Sequence, residues 1–138
     1  MRIMAIDYGD AHTGIAISDP TGFLAGFTTV INAYRPEAVA ERIAALAKEH
    51  GVEELVLGHP INMDGTRGPR SEKAQAMKTL LEEVTSLPVT LWDERRTTID
   101  AHQILMGSGK NAKKRKKVVD AVAASLILEG YLTFKKSR

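Results

Sequence analysis

The sequence predicts an α/β fold in which an antiparallel three-strand meander leads into alternating helices and strands. Three observations carry this reading. Ile3-Met4-Ala5-Ile6 is apolar at consecutive positions, as expected of a central strand buried on both faces. From Pro36 onward the apolar residues take up helical spacing. Short apolar runs around Leu55 and Val89 then alternate with helical segments, the pattern of parallel strands joined by crossovers.

Arg2 to Tyr8 reads as the first strand. Gly9 and Gly14 bracket a tight turn, and Gly14 to Ser18 reads as the second strand. Asp19-Pro20-Thr21-Gly22 is a turn by composition, which leaves a third strand from about Phe23 to Ile31. Val39, Ile43, Leu46 and Ala47 mark a helix over Pro36 to His50, with proline suited to its first turn and Gly51 to its stop. Leu55 to Gly58 is a short buried strand, and His59 to Gly68 a loop rich in turn residues. A helix follows from Pro69 to Val84, then a strand at Val89 to Trp92. Thr97 with Asp100 resembles a capping box for a helix running to about Met106. Gly107-Ser108-Gly109 and the lysines after it read as a mobile loop. The last helix spans roughly Lys116 to Phe134.

Right-handed crossovers make the strands at Ile3, Leu55 and Val89 mutually parallel. Their carboxyl ends then share one edge of the sheet, where ligands of open α/β sheets bind. Asp7 ends the first of these strands and Asp93-Glu94 ends the last. Topology alone thus brings together two carboxylates far apart in sequence.

A chain of 138 residues suits one domain spanning 1–138. An apolar content of 43% with 26% charged residues is that of a soluble globular protein and excludes wholesale disorder. The absence of cysteine removes disulfides and thiolate metal sites. Asp7 interrupts the N-terminus too early for a signal-peptide core, and no apolar run approaches the roughly 20 residues that span a bilayer. The expectation is a cytoplasmic protein with no membrane partner. A net charge of +2 says little, but its distribution says more. Basic residues dominate from Arg95 to Lys117, whereas acidic ones gather at Glu37 to Glu54 and at Glu82-Glu83. Such a protein can grip a polyanion locally while staying near neutrality.

Asp7 has two readings: a turn aspartate bonded to the amides of Gly9 or Asp10, or a hard oxygen ligand at the sheet edge. Asp120 aligns on a helical wheel with Ala124, Ile127 and Tyr131. An inward carboxylate is unfavourable by several kcal/mol, of order 2–7 for a polar group, unless paired, neutralised or bound to a metal. Glu94 is either a third ligand or a surface partner of Arg95 or Arg96. Three carboxylates without cysteine suit Mg²⁺ or Mn²⁺ better than zinc. Among the histidines only His59 follows a central strand at the same edge, and it is a candidate active-site residue together with Gly9. Lys113, Lys114, Arg115, Lys116 and Lys117 sit where the last helix begins, where cations oppose the helix dipole. Phosphate binding explains that placement better than solvation does. Arg70, near the start of another helix, is a further candidate phosphate contact.

In order and spacing these residues resemble the YqgF/RuvX family of ribonuclease H-like nucleases. The resemblance runs through Asp7-Tyr8-Gly9, Leu57-Gly58-His59-Pro60 with Asn62-Met63-Asp64-Gly65, and Trp92-Asp93-Glu94-Arg95 with Thr97-Thr98. It continues through Arg115-Lys116-Lys117 to Val119-Asp120. It implies a ribonuclease H-like, five-stranded mixed sheet, three strands antiparallel and two parallel, flanked by helices. It further implies that Asp7, Glu94 and Asp120 are the catalytic acids. Family members are associated with 5′-end processing of pre-16S ribosomal RNA and, in an earlier assignment, with resolving Holliday junctions. One departure stands out: Asp10-Ala11-His12 replaces the Thr-Lys pair usual in the family, removing a cation and adding a carboxylate beside Asp7.

The expected chemistry is phosphodiester hydrolysis by a nuclease holding two Mg²⁺ (or Mn²⁺) ions on Asp7, Glu94 and Asp120. Arg95 and the Lys113–Lys117 run would grip flanking phosphates of structured RNA or branched DNA. Two rivals come from other classes. One is a non-catalytic nucleic-acid-binding module using the basic zone alone. The other takes Asp7-x-Gly9 as the phosphate turn of an actin-like or sugar-kinase ATPase, which needs a second lobe. An aromatic content of 5% offers few platforms for stacking bases. The sequence fits a monomer or a homodimer, and junction cleavage would favour the symmetric dimer.

Overall fold

The structure, a computed structural model, describes residues 2–19, 25–59, 68–93 and 112–136, apart from the side chains of residues 25, 69, 112–121 and 136. Its elements are β1 (Arg2–Asp7), β2 (His12–Ser18), β3 (Ala25–Asn32), α1 (Pro36–His50), β4 (Val52–His59), α2 (Pro69–Thr85), β5 (Val89–Asp93) and α3 (Ala112–Lys136). The strands form one five-stranded sheet in the order β3-β2-β1-β4-β5. β1 pairs antiparallel with β2, and β2 with β3, whereas β1–β4 and β4–β5 are parallel. The mixed sheet expected from the sequence is thus observed, with β1 at its centre. The expected helix from Thr97 to Met106 and the loop at Gly107 to Gly109 lie outside the described residues.

Strand periodicity divides β1 between two cores. Met4 and Ile6 are buried with Ile15, Leu57, Ile43 and Met77 beneath α1 and α2. Ile3 and Ala5 face the other way, into a second core with Val56, Ala124, Ile127 and Leu128 of α3. That double burial is why the strand reads as an unbroken apolar run.

Several boundaries differ from the sequence reading for identifiable reasons. β4 begins at Val52 rather than Leu55 and includes Glu54, which is only 7% exposed. Its carboxylate accepts hydrogen bonds from the Tyr131 hydroxyl and from Lys135 Nζ, the latter at 2.8 Å, so a charge inside a strand is accommodated. α2 runs one residue further than expected and stops at Ser86, a non-glycine in the left-handed region (φ 59°). α3 begins at Ala112, so the lysine run forms its first turns instead of the loop before it. Alanine, lysine and arginine are good helix formers, which favours the longer helix. No helix among the described residues is long and apolar enough to cross a membrane.

Candidate active site at the carboxyl edge

The carboxyl ends of β1, β4 and β5 share one edge. Ile6 is in register with Leu57 and His59 with Asp93, which sets Asp7, His59 and Asp93 along that edge. Asp7 continues the Ile3–Ala5 alternation, so it lies on the α3 face of the sheet. Its side chain is partly buried, and among the described residues no donor or cation engages it. The turn reading required bonds from the amides of Gly9 or Asp10, and these are not formed. The turn is instead held by close backbone approach: a Cβ on Gly9 would stand 2.4 Å from the His12 carbonyl oxygen.

Asp10 turns away from Asp7 toward α2. It accepts from Lys73 Nζ at 3.0 Å and lies 3.9 Å from Arg70 Nη2. The departure at Asp10-Ala11-His12 therefore places its carboxylate against two cations on the α2 side. His12 is bound within the meander, its Nδ1 2.6 Å from Asn32 Oδ1. Tyr8, next after Asp7, packs against the α1/α2 core, and burial pushes its phenol above the ordinary value.

His59 stands at the expected edge but on the opposite face from Asp7, since it alternates with Leu55 and Leu57. It is 7% exposed, and its Nε2 lies 2.6 Å from the hydroxyl of fully buried Ser71. Gln75 donates to the same hydroxyl at 3.3 Å. His59 thereby ties the start of α2 to the end of β4.

Glu94 and Arg95 lie outside the described residues. Asp120 and the run Lys113, Lys114, Arg115, Lys116 and Lys117 lie on α3, where only the backbone is described. Tyr131 meets Glu54, whose register partner on β1 is Ile3. Residue 120 lies about 16 Å back along the helix at 1.5 Å per residue. Asp7 lies about 13 Å on from Ile3 along the strand. An α3 that runs antiparallel to β1 would set its first turns at the carboxyl edge, on the Asp7 face. β5 is two strands from β1, a backbone separation of about 10 Å that the chain after Asp93 must span for Glu94 to share a ligand with Asp7.

A partly buried edge carboxylate that no cation engages among the described residues is suited to a hard divalent ion. Among the described residues no three acidic or histidine side chains cluster as a metal site, and two of the three expected ligand side chains fall outside those described. Sequence reasoning did not single out Tyr8, Tyr34 or Lys73 at this edge. For Lys73 the available signal was its position one turn beyond Arg70 on α2.

The sheet order, and the helices divided between its faces, define a ribonuclease H-like fold. RuvC from T. thermophilus in complex with a Holliday junction substrate shares the fold, with a TM-score of 0.65 at 11% identity over 99% of this chain and 96% of that one. The chain belongs to the RuvX family, whose model, described as a Holliday junction resolvase, matches residues 1–134. A relative from Halothermothrix orenii is 45% identical over 98% of this chain and 96% of its own length. One from Pelotomaculum thermopropionicum is 44% identical over 96% and 86%. Both bear the name "Putative pre-16S rRNA nuclease".

Proposed function

We propose that this chain is a divalent-metal-dependent nuclease whose reaction is 5′-end processing of pre-16S ribosomal RNA, a step in ribosome biogenesis. The observation that carries the reading is the Asp7 carboxylate: at the carboxyl edge, on the α3 face, and engaged by no donor or cation among the described residues. Relatives of 44–45% identity that bear a pre-16S rRNA nuclease name support the substrate.

Asp7, Glu94 and Asp120 are the residues that would hold Mg²⁺ or Mn²⁺, in a two-ion arrangement. When bound, the metal supplies Lewis acidity at the scissile phosphate and makes water a competent nucleophile at neutral pH. Asp7 would offer both oxygens, since among the described residues none neutralises it. Arg95 and the basic run from Lys113 to Lys117 hold flanking phosphates, so affinity falls as salt rises. Arg70 can contribute from the α2 side, although Asp10 shares its charge at 3.9 Å.

A second reading, resolution of four-way DNA junctions, is favoured by the description of the family model. It calls for a homodimer, because two opposed strands must be cut. Incubating the protein with precursor rRNA and with a four-way junction, each with Mg²⁺, Mn²⁺ or EDTA, tests both. Metal-dependent 5′-end products on the RNA alone support the proposal. Products on the junction alone transfer it to the second reading, and binding without cleavage of either reduces the chain to a binding module.

A further inference from the structure

We infer that the groove between the start of α1 and the middle of α2 binds an unpaired nucleobase of the strand that crosses the edge at Asp7. The inference rests on the nuclease reading above. The groove encloses about 560 Å³, within the size range of small-molecule sites. Tyr8, Tyr34, Met77 and Leu80 are among its lining, with Asp10, Glu37 and Lys73 as its charged groups.

Continuity with the edge is built into β1. Asp7 lies on the α3 face, and Tyr8, one residue or about 3.8 Å further, packs on the α1/α2 face. A strand crossing the edge at Asp7 can therefore turn a base over the end of β1 into this groove. Two of the three tyrosines in the chain line the groove. Tyr34 is 80% exposed, which leaves its ring accessible to a base. The charge pattern selects the occupant. Lys73 is paired with Asp10 at 3.0 Å and Glu37 adds a second carboxylate to the lining, which disfavours a free anion. A donor beside an acceptor suits the neutral hydrogen-bonding edge of a base, with the apolar lining against its plane.

The test uses the full chain in EDTA, where binding is read without cleavage, at one fixed salt concentration. Fluorescence anisotropy is measured with a labelled single-stranded RNA, the DNA of the same sequence, and an abasic oligomer of equal length. Tyr34→Ala should weaken binding of RNA and DNA by about 5- to 100-fold, the range of one lost base stack. Tyr34→Phe should stay within about twofold of wild type, because the ring is kept. The abasic oligomer should bind wild type and Tyr34→Ala alike. Weakening confined to the RNA would also support the groove and make ribose part of what it reads. Equal affinity of Tyr34→Ala for every probe, or equal weakening with the abasic oligomer, overturns the inference. Cleavage by the wild type with Mg²⁺ is scored separately. Cleavage without Tyr34 dependence removes the groove and leaves the nuclease, whereas Tyr34-dependent binding without cleavage does the reverse.

Discussion

Replacing Tyr131 by Phe should destabilise the protein by about 1.5–3 kcal/mol, the range for a hydrogen bond to a charged group. The structure supplies the reason. Glu54 is 7% exposed and accepts from two donors, the Tyr131 hydroxyl and Lys135 Nζ. Removing the hydroxyl leaves one oxygen of a buried carboxylate without its partner, while the ring and its packing remain. The lost bond also slackens the tie between the C-terminal half of α3 and the start of β4. At roughly 3–6 °C per kcal/mol for a domain of this size, the melting temperature should fall by about 5–18 °C. Urea unfolding followed by tryptophan fluorescence suits the measurement. Trp92 is the sole tryptophan, and its ring lies edge-on at 5.8 Å from Tyr131 and 5.7 Å from Phe134. The pH dependence has a definite sign. Burial and then the bond to Glu54 push Tyr131 up from 10.0, and the bond to Glu54 pushes Lys135 up from 10.5. Both folded-state values lie above the unfolded ones, so this stabilisation is complete below about pH 10 and is lost as pH rises through the folded values. Tyr131→Phe should accordingly show its full deficit at pH 7 to 9 and a smaller one above pH 10. A deficit below about 0.5 kcal/mol at pH 8 would refute the claim that this contact secures α3.

Two substitutions probe the backbone at opposite ends of the sheet. Gly9→Ala forces a Cβ to within 2.4 Å of the His12 carbonyl oxygen, so the β1–β2 turn must shift, at about 1–3 kcal/mol; a urea midpoint equal to wild type would contradict this. Ser86→Gly relieves the left-handed conformation at φ 59° that ends α2 and should raise stability by about 0.5–1 kcal/mol. Calorimetry showing a lower melting temperature would count against strain at that cap.

The parts of the fold that were legible in the sequence are those whose signals are local. α1 runs from Pro36 to His50 as expected, because proline occupies its first turn and Gly51 adopts φ 67° at its end. The end of α2 was less legible because Ser86, not glycine, takes the left-handed position. The extension of β4 through Glu54 could not be read at all: the partners that permit a carboxylate there lie 77 and 81 residues away. At the candidate site, the edge position of Asp7 and His59 followed from topology, whereas their partners did not. That His59 engages Ser71, and that Asp10 engages Lys73, depends on how α2 docks across the sheet. Alternation along β4 does, however, put His59 on the face opposite Asp7, a distinction the sequence contained and that strand counting alone passed over.

The account turns on the Asp7 carboxylate, and Asp7→Asn isolates it with minimal change of shape. Since no described residue pairs with that carboxylate, the substitution should leave the far-ultraviolet spectrum and the urea midpoint unchanged. Single-turnover cleavage of precursor rRNA with saturating Mg²⁺ is the decisive measurement. The account predicts a loss of about a hundredfold or more in the Asn variant, with RNA binding in EDTA retained. Cleavage by the folded variant at the wild-type rate would contradict it.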